Sequence, residues 1–275
     1  MSQISIQNLS FTYPGSYLPV FQGLSLSLDT RWRLGLVGRN GRGKTTLLRL
    51  LSGELAPDGG STLLCPAATD YFPFQVPDES LPALEAAQEA VAPFRAMEAE
   101  MERLIEEGSQ EALQRYGDVQ EQYQEAGGYV IQELLRREAG KLEIREGALE
   151  RPFSSLSPGE RVKLLLAVLL LRPSRFLLID EPTSHLDVRG RRVVGEYLAQ
   201  GGKGFLLVSH DRDFLDAATD HTLALNRTSV QLLQGNYSIW EGEKERQDAL
   251  ELARREKLVR EVSRLEEAAR RTSGW

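Results

Sequence analysis

Three closely spaced glycines come before one lysine and two threonines near the amino terminus. Residues 38–46 read Gly-Arg-Asn-Gly-Arg-Gly-Lys-Thr-Thr, between the mostly apolar segments 34–37 and 47–51. This order predicts a buried strand, a glycine-rich turn and a helix. Glycines let the backbone curl without Cβ clashes, so that successive amide groups and the helix N-terminus can face a phosphate chain. We expect Lys44 to reach the β- and γ-phosphates and the Thr45 hydroxyl to bind Mg²⁺.

Two other apolar runs are followed by residues that can bind a metal ion or accept and donate protons. The run 176–179 is followed by Asp180 and Glu181, and the run 205–208 leads to His210. Continuous apolar strands are typical of a parallel sheet that is covered on both faces. Asp180 is the expected Mg²⁺ carboxylate, and Glu181 is expected to position or deprotonate the attacking water.

Several polar and aromatic residues fit a structural role as well as a functional one. Tyr13 could stack on a nucleotide base or lie at the edge of the core. Asp187 could cap the helix that starts at the next residue. His210 could be an ordinary loop histidine, and Gln75 a surface amide. The residues taken singly leave these alternatives open.

Hydrophobic periodicity predicts an α/β chain. Strands are predicted at 4–9, 24–28, 33–37, 61–65, 175–180 and 205–208, with edge strands at 223–225 and 230–233. Between 81 and 150 the composition favours helices, interrupted at 108–109 and 127–128. Further helices are predicted from Pro158 to Leu171, from 189 to 199, and from Trp240 to Arg271.

These elements divide the chain into three parts. Residues 1–78 and 153–239 form the predicted nucleotide-binding core, 79–152 an inserted helical subdomain, and 240–275 a charged helical segment. In that last segment Leu258, Val262, Leu265 and Ala269 form a narrow apolar seam suited to one partner surface. A solvated helix that packs back on its own core is the alternative.

Composition limits the classes of function. The 275 residues are 41% hydrophobic and 27% charged, which is typical of a soluble globular chain. The single cysteine, Cys65, excludes an internal disulfide and suggests no zinc site. The net charge of −7 means that any nucleic acid must be contacted by a local basic patch. The sequence predicts neither a membrane span nor an export signal, and the chain is expected in the cytoplasm.

Taken jointly and in order, the segments resemble the ATP-binding cassette (ABC) ATPase family over residues 4–237. The matching motifs are 38–45 as Walker A, Gln75 as the Q-loop, 156–160 as the signature, 176–180 as Walker B, 184–187 as the D-loop, and His210 as the switch histidine. The resemblance implies a P-loop NTPase fold with a mostly parallel core sheet, an N-terminal antiparallel β subdomain, an inserted helical subdomain and a C-terminal helix.

The resemblance also implies roles for individual residues. Glu181, His210 and Gln75 become catalytic, and Thr45, Gln75 and Asp180 become Mg²⁺ ligands. The residues expected to contact ATP are Tyr13 (stacking on adenine), Gly38, Asn40, Gly41, Gly43, Lys44, Thr45, Thr46, Ser157, Gly159 and Asp187. In this family the signature segment of one cassette covers the ATP held by another, so a lone cassette is expected to be a weak Mg²⁺-dependent ATPase.

One position departs from the family pattern. Pro158 stands where the family usually has glycine. Proline lacks the backbone N–H and stiffens the segment, which predicts a weaker contact between this signature and a γ-phosphate.

Segments 181–187, 209–215 and 235–238 resemble the ABC-F class. That class acts on the ribosome during translation and joins two cassettes in one chain by a long helical linker. The helix after Trp240 resembles the start of that linker, and 270–275 resembles linkers of antibiotic-resistance members that protect the ribosome. The implied partners are a second cassette, in a C-terminal half or a homodimer, and the ribosome with its rRNA and tRNA.

Two other classes share the cassette. The ATPase subunit of a membrane transporter is the alternative function, and the C-terminal helix is the feature that argues against it. A structural DNA-repair ATPase would need long coiled-coil arms, for which the insertion 81–150 is too short.

Overall fold

The computed structural model describes residues 3–64, 68–225 and 230–272, without the side chains at positions 64, 261 and 263–272. The strands in these ranges are β1 Gln3–Phe11, β2 Phe21–Asp29, β3 Arg33–Val37, β4 Thr62–Leu64, β5 Thr69–Phe72, β6 Phe176–Asp180, β7 Gly204–Val208, β8 His221–Leu225 and β9 Val230–Gln234. The α-helices there are α1 Lys44–Leu51, α2 Ala83–Val91, α3 Phe94–Glu107, α4 Gln110–Glu125, α5 Ile131–Lys141, α6 Glu146–Leu149, α7 Pro158–Leu171, α8 Val188–Gln200, α9 Arg212–Ala218 and α10 Tyr237–Thr272.

The strands form two sheets. A three-stranded antiparallel sheet has the order β2-β1-β4, and a six-stranded sheet has the order β5-β6-β7-β3-β8-β9. In the larger sheet only the pairing of β8 with β9 is antiparallel among the described strands. The predicted α/β fold, with its mostly parallel core sheet and antiparallel N-terminal sheet, is confirmed.

Alternation along the central strands builds a core on each face of the larger sheet. Leu177, Ile179 and Leu207 pack with α2, α5, α7 and α8, whereas Leu178 and Leu206 pack with α1 and the small sheet. Both faces are therefore covered. This explains why the central strands read as continuous apolar runs rather than as alternating ones.

The chain enters and leaves the helices α2–α6 at one place. The Phe153 amide donates to the Leu81 carbonyl at 2.9 Å, and the Ala83 amide donates to the Arg151 carbonyl at 2.8 Å. Helices α2 and α5 share the hydrophobic cluster of α7 and the sheet. The helical segment is thus an excursion from the core that packs back onto it.

Some details of the strands and helices differ from the sequence expectations. The segment 223–225 belongs to β8, which lies between β3 and β9, so of the two predicted edge strands β9 alone lies at an edge of the sheet. Strand β5 and helix α9 were not predicted, because each is short and lacks a clear apolar period. Cys65 lies outside the described residues, as do residues 273–275 of the expected linker motif.

Helix α10 begins at Tyr237, three residues before the expected Trp240, and runs for 36 residues. Tyr237 and Trp240 pack against the core, and Glu241 pairs with Arg212 at 2.8 Å. From Lys244 to Arg260 the side chains are exposed, including Leu258 at 60%. At 1.5 Å per residue the helix is about 54 Å long. Among the described side chains of the helix, those of its first two turns are the ones that anchor it to the core. No helix among the described residues combines the length and apolarity that crossing a membrane requires.

Because the first turns of α10 pack against the core, we expect two substitutions on this helix to change the free energy of unfolding unequally. Trp240→Ala removes a partly buried indole and should lower the free energy of unfolding by about 2 kcal/mol in urea titrations. Leu258→Ala, on the exposed part of the same helix, should change it by less than about 0.5 kcal/mol. Equal effects of the two changes would contradict the anchoring by the first turns.

Candidate active site

A cleft of about 400 Å³ opens at the carboxyl edge of the larger sheet. It collects residues from the loops that follow β1, β3, β6 and β7, together with the start of α1. Its lining consists of Tyr13, Val20, Asn40, Gly41, Gly43, Lys44, Thr45, Thr46, Asp180, Glu181, Val208 and His210. The structure therefore brings together most of the residues that the sequence motifs predicted for nucleotide, metal and water.

The glycine loop depends on glycine for both conformation and space. Gly41 has a φ of 76° and Gly43 a φ of 89°, a region that L-residues rarely adopt. A Cβ on Gly43 would lie 2.5 Å from a methyl carbon of Val20 and 2.8 Å from the Phe21 ring. Gly43 also caps α1 with its left-handed backbone. The loop thus delivers the free amides of the α1 N-terminus to the cleft.

Lys44 lies between the loop and the two acids. Its ammonium donates to the Gly38 carbonyl at 2.9 Å. Burial lowers the pKa of Lys44, and the nearby carboxylates of Glu181 and Asp180 oppose that shift. A partly desolvated ammonium beside free amides is suited to bind a phosphate chain.

Asp180 has one carboxylate oxygen occupied and one free. The Tyr71 hydroxyl donates to Asp180 Oδ2 at 3.2 Å, while Oδ1 is buried and has no hydrogen-bond partner among the described residues. The Thr45 hydroxyl group lines the same cleft. A buried carboxylate oxygen without a donor, in a cleft that a threonine hydroxyl and the glycine loop also line, fits Mg²⁺.

Tyr71 was not predicted as a site residue. It lies on β5, pairs with Leu178 of β6, and reaches Asp180 from the neighbouring strand. Burial, with the Asp180 charge next in size, raises the pKa of Tyr71 to about 12, so the hydroxyl keeps its proton. The signal in the sequence was slight, because segment 69–72 reads Thr-Asp-Tyr-Phe and is too short to show the alternation of a strand.

Glu181 occupies a strained turn directly after β6. Its φ of 49° lies in the left-handed region, and its amide donates to the Val208 carbonyl at 2.9 Å. Such strain persists where the surrounding structure enforces it. Its Oε1 atom lies 3.4 Å from Nε2 of His210. Burial raises the pKa of Glu181, although the His210 and Lys44 charges act in the opposite direction.

Tyr13 closes the cleft on the side of the small sheet. Its hydroxyl is 3.0 Å from the Thr46 hydroxyl, and its ring meets Phe11 edge-on at 4.9 Å between centroids. The side chain remains 38% exposed. Val20 lines the cleft next to it and was not predicted. The ring thus lies at the cleft, where a base could contact it.

Ser157, Gly159 and Asp187 do not line this cleft. They surround a separate pocket of about 450 Å³ with Pro158, Glu160, Lys163, His185 and Leu186. Ser157 caps α7 and forms a reciprocal capping box with Glu160, and Asp187 caps α8 by accepting from the Gly190 amide at 2.7 Å. Pro158 occupies the first helical turn, where its missing N–H is tolerated. Asp187 therefore has the capping role that the sequence left open.

Two further predicted residues lie apart from the cleft lining. Gln75 is exposed and lines neither pocket. Gly38 lines an adjoining pocket of about 360 Å³ behind the loop, together with Lys44 and His210. A Cβ on Gly38 would lie 2.7 Å from the Leu225 carbonyl oxygen, which explains why glycine fits there.

Comparisons with known proteins agree with this geometry. The family described as ABC transporter matches residues 21–184. The chain belongs to the ABC family. Over 242 residues it is 33% identical to the tylosin resistance ATP-binding protein TlrC of Streptomyces fradiae, covering 83% of this chain and 43% of TlrC. It is 32% identical to the probable ATP-binding protein YheS of Escherichia coli strain K12, covering 82% of this chain and 36% of YheS.

The chain spans less than half the length of these two relatives. A solved structure with the same fold is the ATP-binding cassette MJ0796, in a dimeric post-hydrolysis state bound to ADP and Pi. Its TM-score is 0.58 at 16% identity, with 84% of this chain and 98% of that chain covered. The predicted resemblance to the ABC ATPase family is confirmed. The chain is an ABC ATPase domain, and ATP with Mg²⁺ is its cofactor pair.

The first prediction from the site concerns Lys44. Lys44→Ala removes a charge-assisted phosphate contact, which should weaken ATP binding by about 1.5–3 kcal/mol, or roughly 10- to 150-fold. Calorimetric titration with MgATP measures the change. The control is Lys257→Ala, on the exposed part of α10. Equal ATP affinity in wild type and Lys44→Ala would remove Lys44 from the site.

The second prediction concerns the cost of burying the Glu181 carboxylate. A raised pKa means that the folded protein binds this proton more tightly than the unfolded chain does. Stability from this group is therefore present below the unfolded pKa of about 4.3 and is lost as pH rises through the higher folded pKa. Glu181→Gln cannot ionise, so it should unfold at a higher temperature than wild type at pH 7.5, and the difference should vanish near pH 4.

The control for that measurement is Glu196→Gln, an exposed glutamate on α8. Its melting temperature should follow wild type across the same pH range. A Glu181→Gln variant that is less stable than wild type at pH 7.5 would show that the carboxylate is held by favourable contacts instead.

Proposed function

We propose that this chain is the ATP-hydrolysing cassette of an ABC-F protein that acts on the ribosome, as a translation factor or in antibiotic resistance. ATP would be held between two cassettes. The supporting comparisons are the resistance protein TlrC and the ATP-binding protein YheS, each aligned over more than four fifths of this chain. The site of action would be the cytoplasm, where ribosomes work.

The observation that carries the proposal is the form of α10. Its first turns are anchored to the cassette, and its continuation is exposed and charged. Exposed apolar residues, including Leu252, Val259 and Val262, remain on this part. A long helix with an anchored start and a free continuation suits a linker to a second cassette. Transporter cassettes rarely carry such a helix, so the transporter-subunit alternative is disfavoured.

The division of the site supports a second cassette as partner. Lys44, Asp180 and Glu181 line one cleft, whereas Ser157 and Gly159 line another pocket. A second cassette could supply its signature segment to this cleft and receive the one offered here. On this proposal a lone cassette turns ATP over slowly, because its cleft lacks the covering segment.

We propose the following division of work within the cleft. The loop amides and Lys44 bind the phosphates, and Tyr13 contacts the base. Thr45 and Asp180 hold Mg²⁺, which neutralises charge on the phosphates when it is bound. Glu181 positions or deprotonates the water, and His210 lies beside it to orient its carboxylate. Gln75 would join the site only if its exposed loop moved toward the cleft.

The proposed domain division rests on where the cleft and the inserted helices lie in the chain. Residues 1–78 and 153–239 carry the cleft, and 79–152 forms the insertion whose ends are joined by backbone hydrogen bonds. Residues 240–275 form the linker segment, although its first residues also pack on the core.

The experiment is sedimentation with ribosomes. In the full-length protein, Glu181→Gln with the matching change in the second cassette should trap ATP, so the protein should pellet with ribosomes only when ATP is present. The control adds Lys44→Ala and its counterpart, which should abolish pelleting. Absence from the ribosome fraction in both nucleotide states would reject the ribosomal proposal and favour the transporter subunit.

A further inference from the structure

A further concave surface lies at the amino edge of the larger sheet, opposite the nucleotide cleft. It is formed where the chain enters β3, β6 and β7, and its volume is about 670 Å³. We call it the amino-edge pocket; four of its lining residues are the cations Arg31, Arg172, Arg175 and Lys203. No aspartate or glutamate is among the described residues that line it.

Two of the four cations are already paired and two are not. Arg31 pairs with Asp29 at 2.8 Å, and Arg172 pairs with Asp70 at 3.0 Å. Within the described ranges, neither Arg175 nor Lys203 has a carboxylate within 4.0 Å. The charge of Asp70 also acts on Lys203. Four cations are thus balanced by the carboxylates of Asp29 and Asp70, and the pocket keeps a net positive charge.

The Lys203 ammonium lies at the pocket and has hydrogen-bond donors that the described residues do not use. Its ammonium donates to the Arg172 carbonyl, and burial lowers the pKa of Lys203. An ammonium carries three donors, so this contact leaves two for a ligand. The cost of burying a charge falls when an anion accompanies it.

Ser174 supplies an independent indication of a ligand. It is 3% exposed, and its hydroxyl has no hydrogen-bond partner among the described residues. Buried hydroxyl groups in folded proteins are nearly always paired, so an unpaired one that lines a pocket points to a missing partner. A phosphate oxygen accepts from a hydroxyl, an ammonium and a guanidinium alike.

We propose that the amino-edge pocket binds a phosphate group through Ser174, Arg175 and Lys203, and that this phosphate belongs to an RNA backbone. The choice of RNA rests on the proposed ribosomal function. The whole chain has a net charge of −7, so contact with RNA must be confined to a local basic surface such as this one. A small phosphorylated molecule would use the same donors, and the experiment separates the two sources.

The experiment titrates this chain, with the nucleotide cleft filled by MgADP, against a labelled RNA hairpin and against inorganic pyrophosphate. Arg175→Gln with Lys203→Gln should lower RNA affinity about tenfold and should reduce the slope of log affinity against log salt by about one, because one phosphate is no longer neutralised. The matched control is Arg192→Gln, an exposed arginine on α8, which should leave both quantities unchanged.

Ser174→Ala gives a readout that a structural role would not produce. Removing an unpaired buried hydroxyl should leave the melting temperature unchanged or raise it. RNA affinity should nevertheless fall severalfold. A loss of stability without a loss of affinity would overturn the role of Ser174 as a ligand donor.

The two probes distinguish the RNA backbone from a small phosphorylated molecule. Loss of RNA affinity in the double variant supports the RNA backbone as the source, and loss of pyrophosphate affinity alone supports the phosphate site but overturns the RNA source. No change with either probe overturns the site. If wild type pellets with ribosomes and the double variant does so equally well, the RNA contact is overturned while the ribosomal function stands. If wild type fails to pellet, the ribosomal function fails, and the titrations still decide the pocket.

Discussion

The hydrogen-bonded register of three adjacent parallel strands positions the active cleft. Strand β7 pairs with β6 on one side and with β3 on the other, with Asp180 opposite Val208 and Gly35 opposite Leu207. Because parallel strands end at the same edge, this order places the glycine loop, the two acids and His210 side by side. A shift in any of these pairings would move Asp180, the proposed Mg²⁺ ligand, away from the glycine loop. The apolar clusters on both faces hold the register, so core packing and catalysis depend on one arrangement.

The same chain presents two incomplete binding surfaces. The cleft has amides, an ammonium, a free carboxylate oxygen and a buried glutamate, while the pocket around Ser157 has a capped helix N-terminus and few other groups. Burial raises the pKa of Glu181, and its backbone is strained, so the catalytic edge is a costly part of the fold. On the proposed function, these costs are offset when nucleotide and a second cassette cover the cleft. Helix α10, whose first turns are anchored and whose side chains from Lys244 to Arg260 are exposed, would carry that second cassette.

Local sequence patterns predicted the residues of the cleft better than they predicted the contacts that form between distant parts of the chain. The loop 38–46 and the acids after β6 were predicted because strand-end chemistry follows directly from apolar runs and glycine spacing. Tyr71 was missed because its contact with Asp180 depends on strand pairing across 109 positions, which no local pattern encodes. The amino-edge pocket was missed for the same reason, since Arg31, Arg175 and Lys203 meet only after the sheet forms. The start of α10 was predicted three residues too late, because Tyr237 was read as part of the turn at 235–236.

Complementation between two inactive variants tests the divided site most directly. On the proposed function, Glu181→Gln should disable the cleft of a chain but leave its Ser157 segment intact, and Ser157→Arg should do the reverse. If two copies of this chain complete each other's sites, each variant alone should be inactive, and a mixture should recover up to about a quarter of wild-type ATPase activity, because half of the random dimers contain one intact site. Activity that stays at the level of the separate variants after mixing, while Ser157→Arg alone remains fully active, would contradict the account.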